Sequence, residues 1–400
     1  MSARKNTVVG VVFGGRSVEH DVSVVTGQQI MRAFPADRYE VVPIYIDRDG
    51  RWFTGEPLKD LKTFQDDVRN VPGVAPITLS PDVRQHGLIV NPLPTGLLAK
   101  PQPLRLDVVF PAIHGSHGED GTLQGLLELA DIPYAGCGVL ASAVANDKWL
   151  TKVVLKQHGI AVVDGLCFSR HEWETAPDAL VAQIKERFEY PVFIKPATLG
   201  SSIGIGRADN DALLRASIDV AASLDRRIII EPAILNCVEI NGAVLGDDRE
   251  LRASVLEQPV SWEEFLTYEE KYLRGGEGMK SAERIIPAPL EAPLTERIQD
   301  TAKRAFRAID GRGIARIDFL VRPKTGEVFL NEINTLPGSL SFYLWQDTGM
   351  SAAELVEALV KIGRDAHAEK HRNTYNYRTN LIALSASRGL KGTKGSKGAH

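Results

Sequence analysis

Cysteine is scarce in this chain of 400 residues: Cys137, Cys167 and Cys237 are all it has. The number is odd and no C-x-x-C pair occurs, so neither a disulfide framework nor a zinc cluster is expected. A reducing, cytoplasmic home follows as the simplest expectation. Long apolar runs are missing too. None approaches ~18 residues, so no transmembrane helix and no membrane insertion are expected. The run Val8–Phe13 behind Arg4 and Lys5 is too short for the core of a signal peptide, and Gly14-Gly15-Arg16 ends it without a cleavage-like site. It is read as a buried first strand. An excess of positive charge is also lacking: 47 basic and 51 acidic residues leave −4. That excludes a chain built as a whole to hold nucleic acid. The basic residues that stand apart, Arg388, Lys391, Lys394 and Lys397, lie in a Gly/Lys/Ser tail over 386–400 that holds no acid. Such a segment has almost nothing to bury, so a disordered end is expected and no nucleic-acid partner.

What is present is an ordinary globular composition, with 44% apolar and 24% charged residues. At roughly 100–200 residues per domain, two to four domains are expected. The first third alternates strand and helix signals. The continuous apolar run Thr7–Phe13 is followed by a Gly-rich turn, a helical stretch from about Asp21 to Phe34 and a second strand at Tyr39–Ile46. Residues 47–105 are rich in Pro, Gly and Asp and read as an excursion over the surface. Leu106–Ile113 is again a strand, leading into HGSHGEDGTLQG and a helix through Ala130. This β-α-β order predicts an α/β domain built on an open, mostly parallel sheet. Ligands of such sheets sit beyond the carboxyl ends of the strands, where the loops 14–20 and 114–121 fall.

The middle section carries a helix with Asp147 and Lys148, a strand Val192–Lys195, the loop 196–204 and a strand Arg227–Glu231. The last section has strands near Val238–Leu245 and Arg252–Leu256, a polar segment 261–284 and a helix over Pro293–Ile309. A hairpin at 314–333 and a closing helix around 351–366 follow. The divisions expected are 1–140, 141–236 and 237–372, with 373–400 as an extension.

The hairpin carries the clearest chemical signal. GIARIDFLV and GEVFLNEIN flank the turn Pro323-Lys324-Thr325-Gly326. Strand residues alternate faces, so Arg316, Asp318 and Leu320 share a side, as do Glu332 and Asn334. A turn centred near Thr325 sets Asp318 opposite Glu332, with Cβ atoms ~4.5–5.5 Å apart. Two carboxylates that close repel unless a positive charge lies between them. The donors are all hard oxygens with no Cys or His at hand, which suits Mg²⁺ or Mn²⁺ rather than zinc. The competing reading is a solvated face beside an Arg or Lys.

The segment Lys195-Pro196-Ala197-Thr198-Leu199-Gly200-Ser201-Ser202-Ile203-Gly204 lets backbone N–H groups approach phosphate oxygens, though a plain Gly/Ser turn is equally compatible. It is not a Walker A motif, which needs G-K-[ST] opening a helix. Glu231 and Glu239, the glycines after Phe13, and the pair His114 and His117 say little alone.

Together the segments point further. FGGRSVEHDVS, HGSHGEDGTLQGLLELADIPYAGCGVLASAVANDK, KPATLGSSIGI, YEEKY and ARIDFLV…NEINTLPG occur in that order over about residues 7–370. This set resembles the D-alanine–D-alanine ligases of the ATP-grasp superfamily. The resemblance implies an ATP-grasp fold of three domains, with ATP clamped between the central and C-terminal ones. It implies ATP-dependent joining of two D-alanines through an acyl phosphate, for peptidoglycan precursors. It also implies a cytoplasmic homodimer. A D-alanine–D-serine or D-alanine–D-lactate ligase on the same scaffold is the neighbouring alternative, and a non-catalytic ATP-binding protein the distant one.

Residue by residue, the resemblance implies that Asp318, Glu332 and Asn334 hold two Mg²⁺ or Mn²⁺ ions. Lys148 and Lys195 would bind the α/β phosphates and Lys271 the γ-phosphate, with Ser201 and Ser202 in the loop over them. Glu231 would sit near the adenine and Glu239 near the ribose. Arg316 and the Gly338 N–H would face the oxyanion. His114 would lie beside the first substrate's carboxylate and Glu19 would take its ammonium group. Glu19, Ser201 and Tyr272 would form a hydrogen-bonded bridge closing the site, and the tyrosine retained in YEEKY favours an amine nucleophile. Two stretches depart from the family pattern. Asn236–Gly242 lacks the usual acid-rich run around Glu239. After NTLPG the chain reads Ser339-Leu340-Ser341-Phe342-Tyr343-Leu344-Trp345, which sets Tyr343 where a substrate-binding serine is usual and Leu344 at the following leucine, with Ser339 or Ser341 as substitutes.

Overall fold

In a computed structural model of the chain, residues 6–91, 103–260, 284–375, 380–382 and 386 are described. Lys271, Tyr272 and the basic tail lie outside the described residues.

Three sheets carry the fold. The first has seven strands: β1 (Thr7–Gly14), β2 (Tyr39–Ile46), β3 (Trp52–Thr54), β4 (Ala75–Leu79), β5 (Gly87–Val90), β6 (Leu104–Arg105) and β7 (Val108–Pro111), in the order β6-β5-β4-β3-β2-β1-β7. β1 runs parallel to both β2 and β7 and is buried from Val8 to Gly14. Covered on both faces, it needs no polar alternation, which is why it reads as an unbroken apolar run. The expected parallel core is therefore β2-β1-β7. The region 47–105 is not only a surface excursion, because β3 to β6 extend the same sheet in antiparallel fashion. These strands are two to five residues long, too short to show a period in the sequence.

The second sheet is antiparallel, in the order β10-β9-β11-β8, from β8 (Leu166–Ser169), β9 (Val192–Pro196), β10 (Gly206–Ala208) and β11 (Arg227–Pro232). The helix Asp211–Leu224 packs on it through Leu214, Ile218 and Ala221, and the Asn210 side chain caps its start. The third sheet, also antiparallel, is β14-β13-β12-β15-β16, from β12 (Val238–Gly246), β13 (Leu251–Pro259), β14 (Arg284–Ile285), β15 (Gly313–Arg322) and β16 (Glu327–Asn334). The helix Ala292–Ala308 covers one face of it with Ile298, Ala302 and Phe306.

The closing helix Ala352–Lys370 begins at a reciprocal cap between Ser351 and Glu354. It buries Leu355, Val356, Leu359 and Val360 in a core that also holds Val9, Phe13 and Phe110 from the first sheet and Leu245 and Ile314 from the third. Leu340, Leu344 and Trp345 belong to the same cluster. The first and third sheets are thus packed across one apolar seam, and the loops at their edges are held in fixed relation.

Leu359 is fully buried in that seam. Leu359→Ala is expected to lower unfolding free energy by about 2–5 kcal/mol, the usual cost of a buried leucine truncation, measured as a fall in the denaturant midpoint.

Candidate active site

The hairpin β15–β16 sets the centre of the site. Near its turn Arg322 pairs with Glu327 and Phe319 with Leu330, but Asp318 then pairs with Glu332, leaving Asn331 as an extra residue. This β-bulge shifts the register by one. Without it Asp318 would face Asn331. With it the two carboxylates oppose each other and Arg316 faces Asn334.

Asp318 is 2% exposed. Arg316 grips it with two bonds, Nε to Oδ1 at 2.7 Å and Nη2 to Oδ2 at 2.6 Å. The Asn334 amide donates to Asp318 Oδ2 at 3.0 Å and to Glu332 Oε1 at 3.4 Å. From β12, the Asn241 amide can donate to Asp318 Oδ1 at 3.2 Å and Glu239 Oε1 at 3.3 Å. Burial pushes the Asp318 carboxyl up, and the charges of Glu332 and Glu239 add to that, against the opposing pull of Arg316. One guanidinium does not balance three carboxylates. The donor set is all oxygen and short of positive charge, and it fits a hard divalent cation.

Ammonium groups from the helix Lys148–Gln157 and from β9 of the second sheet face this cluster. Lys148 opens the helix Lys148–Gln157, whose start Asp147 caps by accepting the Leu150 N–H at 2.9 Å. Its Nζ donates to the Leu199 carbonyl at 2.8 Å and lies 3.3 Å from Glu332 Oε2. Lys195, on β9, donates to Glu231 Oε2 at 2.8 Å and to Asn331 Oδ1 at 3.4 Å. The bulged residue is thus a contact between the two sheets. Glu231 is held on its other oxygen by Lys152, 2.9 Å away. Burial alone would raise the Glu231 pKa, but Lys195 and Lys152 bring it down to about 2. Sequence reading missed Lys152. It lies one helical turn after Lys148, and that i, i+4 spacing was the signal available.

The loops of the first sheet close a third side. The Ser201 hydroxyl donates to Glu19, linking the 196–204 loop to the loop after β1. Gly115, at φ +72°, passes so near that a Cβ there would lie 2.7 Å from Glu19 Oε2. Ser201 and Ser202 both hold positive φ, at 52° and 59°. His114 is buried, with Nε2 2.9 Å from Thr26 Oγ1 and its backbone N–H on Ser23 Oγ at 2.8 Å. Burial lowers its pKa to about 4, so it is neutral at physiological pH. Glu119 was also missed in the sequence. It accepts the Gly115 N–H at 2.7 Å and the Leu336 N–H at 3.3 Å, joining the loop after β7 to the turn after β16. Burial, then the charge of Glu19, pushes its carboxyl well up.

The departing segment 339–345 is the fourth side. Ser339, Leu340 and Ser341 all take φ of +50°. The Ser339 N–H reaches Thr26 Oγ1 at 3.4 Å, while the Ser339 and Ser341 hydroxyls are buried without a hydrogen-bond partner among the described residues. The side chain of Leu344 is fully buried in the apolar seam, where it supports the wall. Tyr343 does not stand in for a serine as a free donor either. Its hydroxyl is committed to Glu257 Oε1 at 2.6 Å. Glu257, 2% exposed, also takes Arg284 Nη1 at 3.2 Å, and that guanidinium stacks 4.4 Å from the centre of the Tyr343 ring. Neither Glu257 nor Arg284 stands out in the sequence, because the contact joins residues 86 positions apart. Gly338 opens the short turn just before this wall.

Known proteins share this architecture. A family model described as D-ala D-ala ligase N-terminus matches residues 8–137, and one described as D-ala D-ala ligase C-terminus matches 154–361. A D-alanine--D-alanine ligase of Heliobacterium modesticaldum is 42% identical, covering 91% of this chain and 96% of its own length. One of Natranaerobius thermophilus is 37% identical over 93% of this chain and 99% of its own. Among solved structures, the VanG D-Ala:D-Ser ligase of Enterococcus faecalis superposes with a TM-score of 0.77 at 31% identity, covering 90% of this chain and all of that one. The D-alanine-D-alanine ligase of Coxiella burnetii gives 0.75 at 29% identity, covering 96% and 100%. With both halves matched and relatives aligned along nearly their whole length, the chain belongs to the D-alanine–D-alanine ligase family.

Proposed function

We propose that the chain joins two D-alanines at the expense of ATP, through an acyl phosphate of the first, to supply D-alanyl-D-alanine for peptidoglycan precursors. The observation that carries this reading is the meeting of Arg316, Asp318, Glu332 and Asn334 with Lys148 and Lys195 in one cleft, closed by the Glu19–Ser201 contact. A carboxylate oxygen is a poor leaving group until it is phosphorylated. Phosphoryl transfer and the later tetrahedral oxyanion both concentrate negative charge, so the catalyst must supply oriented cations.

Each group has a part. Lys148 and Lys195 rest on Glu332, Leu199 and Glu231, and turn to the α/β phosphates when nucleotide enters. Glu231 is the acceptor for the adenine amine and Glu239 for the ribose; Ser202 lies in the phosphate loop. Asp318, Glu332 and Asn334 fit two Mg²⁺ or Mn²⁺ ions, which when bound would neutralise phosphate charge. Glu19 receives the ammonium of the first D-alanine. Neutral His114 lies by its carboxylate without adding a competing charge. Arg316, its charge secured by Asp318, faces the oxyanion with the Gly338 N–H. Lys271 and Tyr272 complete the closure from the segment outside the described residues. Closure keeps water from the acyl phosphate. We take the enzyme to be a cytoplasmic homodimer; among the described residues no helix is long and apolar enough to cross a membrane.

A second reading, a ligase that prefers D-serine as acceptor, is favoured by one observation. The segment 339–345 builds its wall from Tyr343, Glu257 and Arg284, and the VanG D-Ala:D-Ser ligase is a structural neighbour. ATP-dependent phosphate release with D-alanine alone, and with D-alanine plus D-serine or D-lactate, separates the two when product masses are read. D-Alanyl-D-alanine as main product supports the first reading. Turnover only with a mixed pair would replace it.

Glu332→Gln is expected to lower kcat by at least about 10²–10³-fold, the usual loss for one electrostatic partner at a charged transition state, with an unchanged circular dichroism spectrum. Near-normal turnover would remove Glu332 from the site. Tyr343→Phe deprives buried Glu257 of a donor. A hydrogen bond to a charged group contributes ~1.5–3 kcal/mol, so kcat/KM for the acceptor should fall about 10–100-fold. KM for ATP should stay constant; equal effects on both would mean the wall acts only on folding.

A further inference from the structure

The closing helix carries two histidines that the reaction does not use. His367 and His371 are four residues apart, so they lie on one face, one turn from each other. Their rings are 4.3 Å apart between centroids. Both turn Nε2 to the same oxygen of Asp131, Oδ1, His367 at 2.9 Å and His371 at 2.7 Å. The three ligand atoms all lie within 4.8 Å of one another.

We propose that Asp131, His367 and His371 form a binding site for one zinc-class divalent cation, at the joint between the first sheet's domain and the closing helix. An i, i+4 histidine pair on a helix with a carboxylate from another element is a donor set for Zn²⁺ or Co²⁺, and a poor one for Mg²⁺. It shares no residue with the all-oxygen cluster of β15 and β16. Tetrahedral Zn²⁺ with bonds of ~2.0–2.2 Å separates its ligand atoms by roughly 3.3 Å. The two His–Asp distances need open by only a few tenths of an ångström, and the remaining spacing lies within 4.8 Å, a range side-chain rotation can adjust.

The surroundings favour a cation. Asp131 is anchored, not dangling. It ends the helix Thr122–Leu129 in a left-handed conformation, φ +55°, with its N–H on the Glu128 carbonyl at 3.2 Å. The closing helix ends beside it at His371. Two helix C-termini thus converge, and their unsatisfied carbonyls give that region a partial negative charge. Lys370, adjacent in the chain to His371, is engaged by Glu128, which also accepts the Tyr134 hydroxyl at 2.8 Å. Glu369 holds the guanidinium of Arg372 at 2.7 Å. His371 is half exposed, which leaves a coordination position to water. A bound ion would tie the end of the closing helix to the 131 turn, while the helix's inner face stays in the shared core.

The test uses the full chain, stripped with chelator and then held in excess Mg²⁺ so that oxygen-ligand sites are filled. Co²⁺ and Zn²⁺ are titrated into the native protein, His371→Ala and His367→Gln. Binding is followed by calorimetry, by cobalt absorption and by thermal midpoint. The native protein is expected to take up one equivalent of Zn²⁺ more than either variant, with tetrahedral cobalt bands and a zinc-dependent rise in midpoint. Each variant should weaken that equivalent by more than the roughly 10–100-fold that outer-shell partners carry. His371→Ala changes an exposed side chain, so its ligase activity and near-ultraviolet dichroism should be unaltered. Equal stoichiometry and affinity in native protein and both variants, or no uptake by the native protein, would overturn the proposal and leave a His–Asp–His hydrogen-bonded clip.

Discussion

Crowding of buried negative charge on β15 and β16 is the constraint from which the site follows. Asp318 is almost inaccessible, and the one-residue bulge at Asn331 sets Glu332 directly across from it. Like charges at that separation in a weakly screened interior repel by several kcal/mol unless cations intervene. The compensation comes from Arg316 on the same strand and from Lys148 at the start of the helix Lys148–Gln157. Compensation from a distant element costs chain entropy, yet the neighbouring contact of Lys195 on β9 with Asn331 on β16 also couples the second sheet to the third. The unfavourable term therefore helps to orient the cleft.

The cleft is polarised as a result. On its central side Lys152 and Lys195 hold Glu231, and Lys148 reaches across to Glu332. On the other side three carboxylates, Asp318, Glu332 and Glu239, face the single guanidinium of Arg316. A polyphosphate carrying divalent cations has the complementary arrangement, with oxygens for the lysines and metal for the carboxylates. Lys152 has a distinct place in this balance. It is 2% exposed and held by Glu231 and the Val163 carbonyl, and together with Lys195 it keeps Glu231 ionised. A carboxylate left with no cation in that position would take up a proton and lose its acceptor character.

How much of this could be read from the chain depended on sequence separation. Alternation within β15 and β16 was enough to put Arg316 with Asp318 and Glu332 with Asn334, because those relations are local. Their opposition was also legible, although a turn centred near Thr325 stood in for what the bulge accomplishes. The four short antiparallel strands between residues 52 and 105 were not legible, since they are pinned by edge pairing and not by a period of their own. Glu119 and Glu257 were invisible for another reason. Each acts through partners far along the chain, Leu336 for one and Tyr343 for the other, and no local pattern marks an acid that the fold later buries.

The wall formed by Tyr343, Glu257 and Arg284 keeps its own charge balance. The ring's hydroxyl goes to Glu257, a buried carboxylate that would by itself repel an amino acid's carboxylate. Arg284 answers that charge from β14, and its stacking on Tyr343 holds it in place. The three side chains form a closed unit, with the Tyr343 hydroxyl and Arg284 both donating to Glu257 while the guanidinium stacks on the ring. Leu340 and Leu344, sunk in the seam between the first and third sheets, fix its position. The position of this unit is therefore tied to the same apolar packing that joins the first and third sheets.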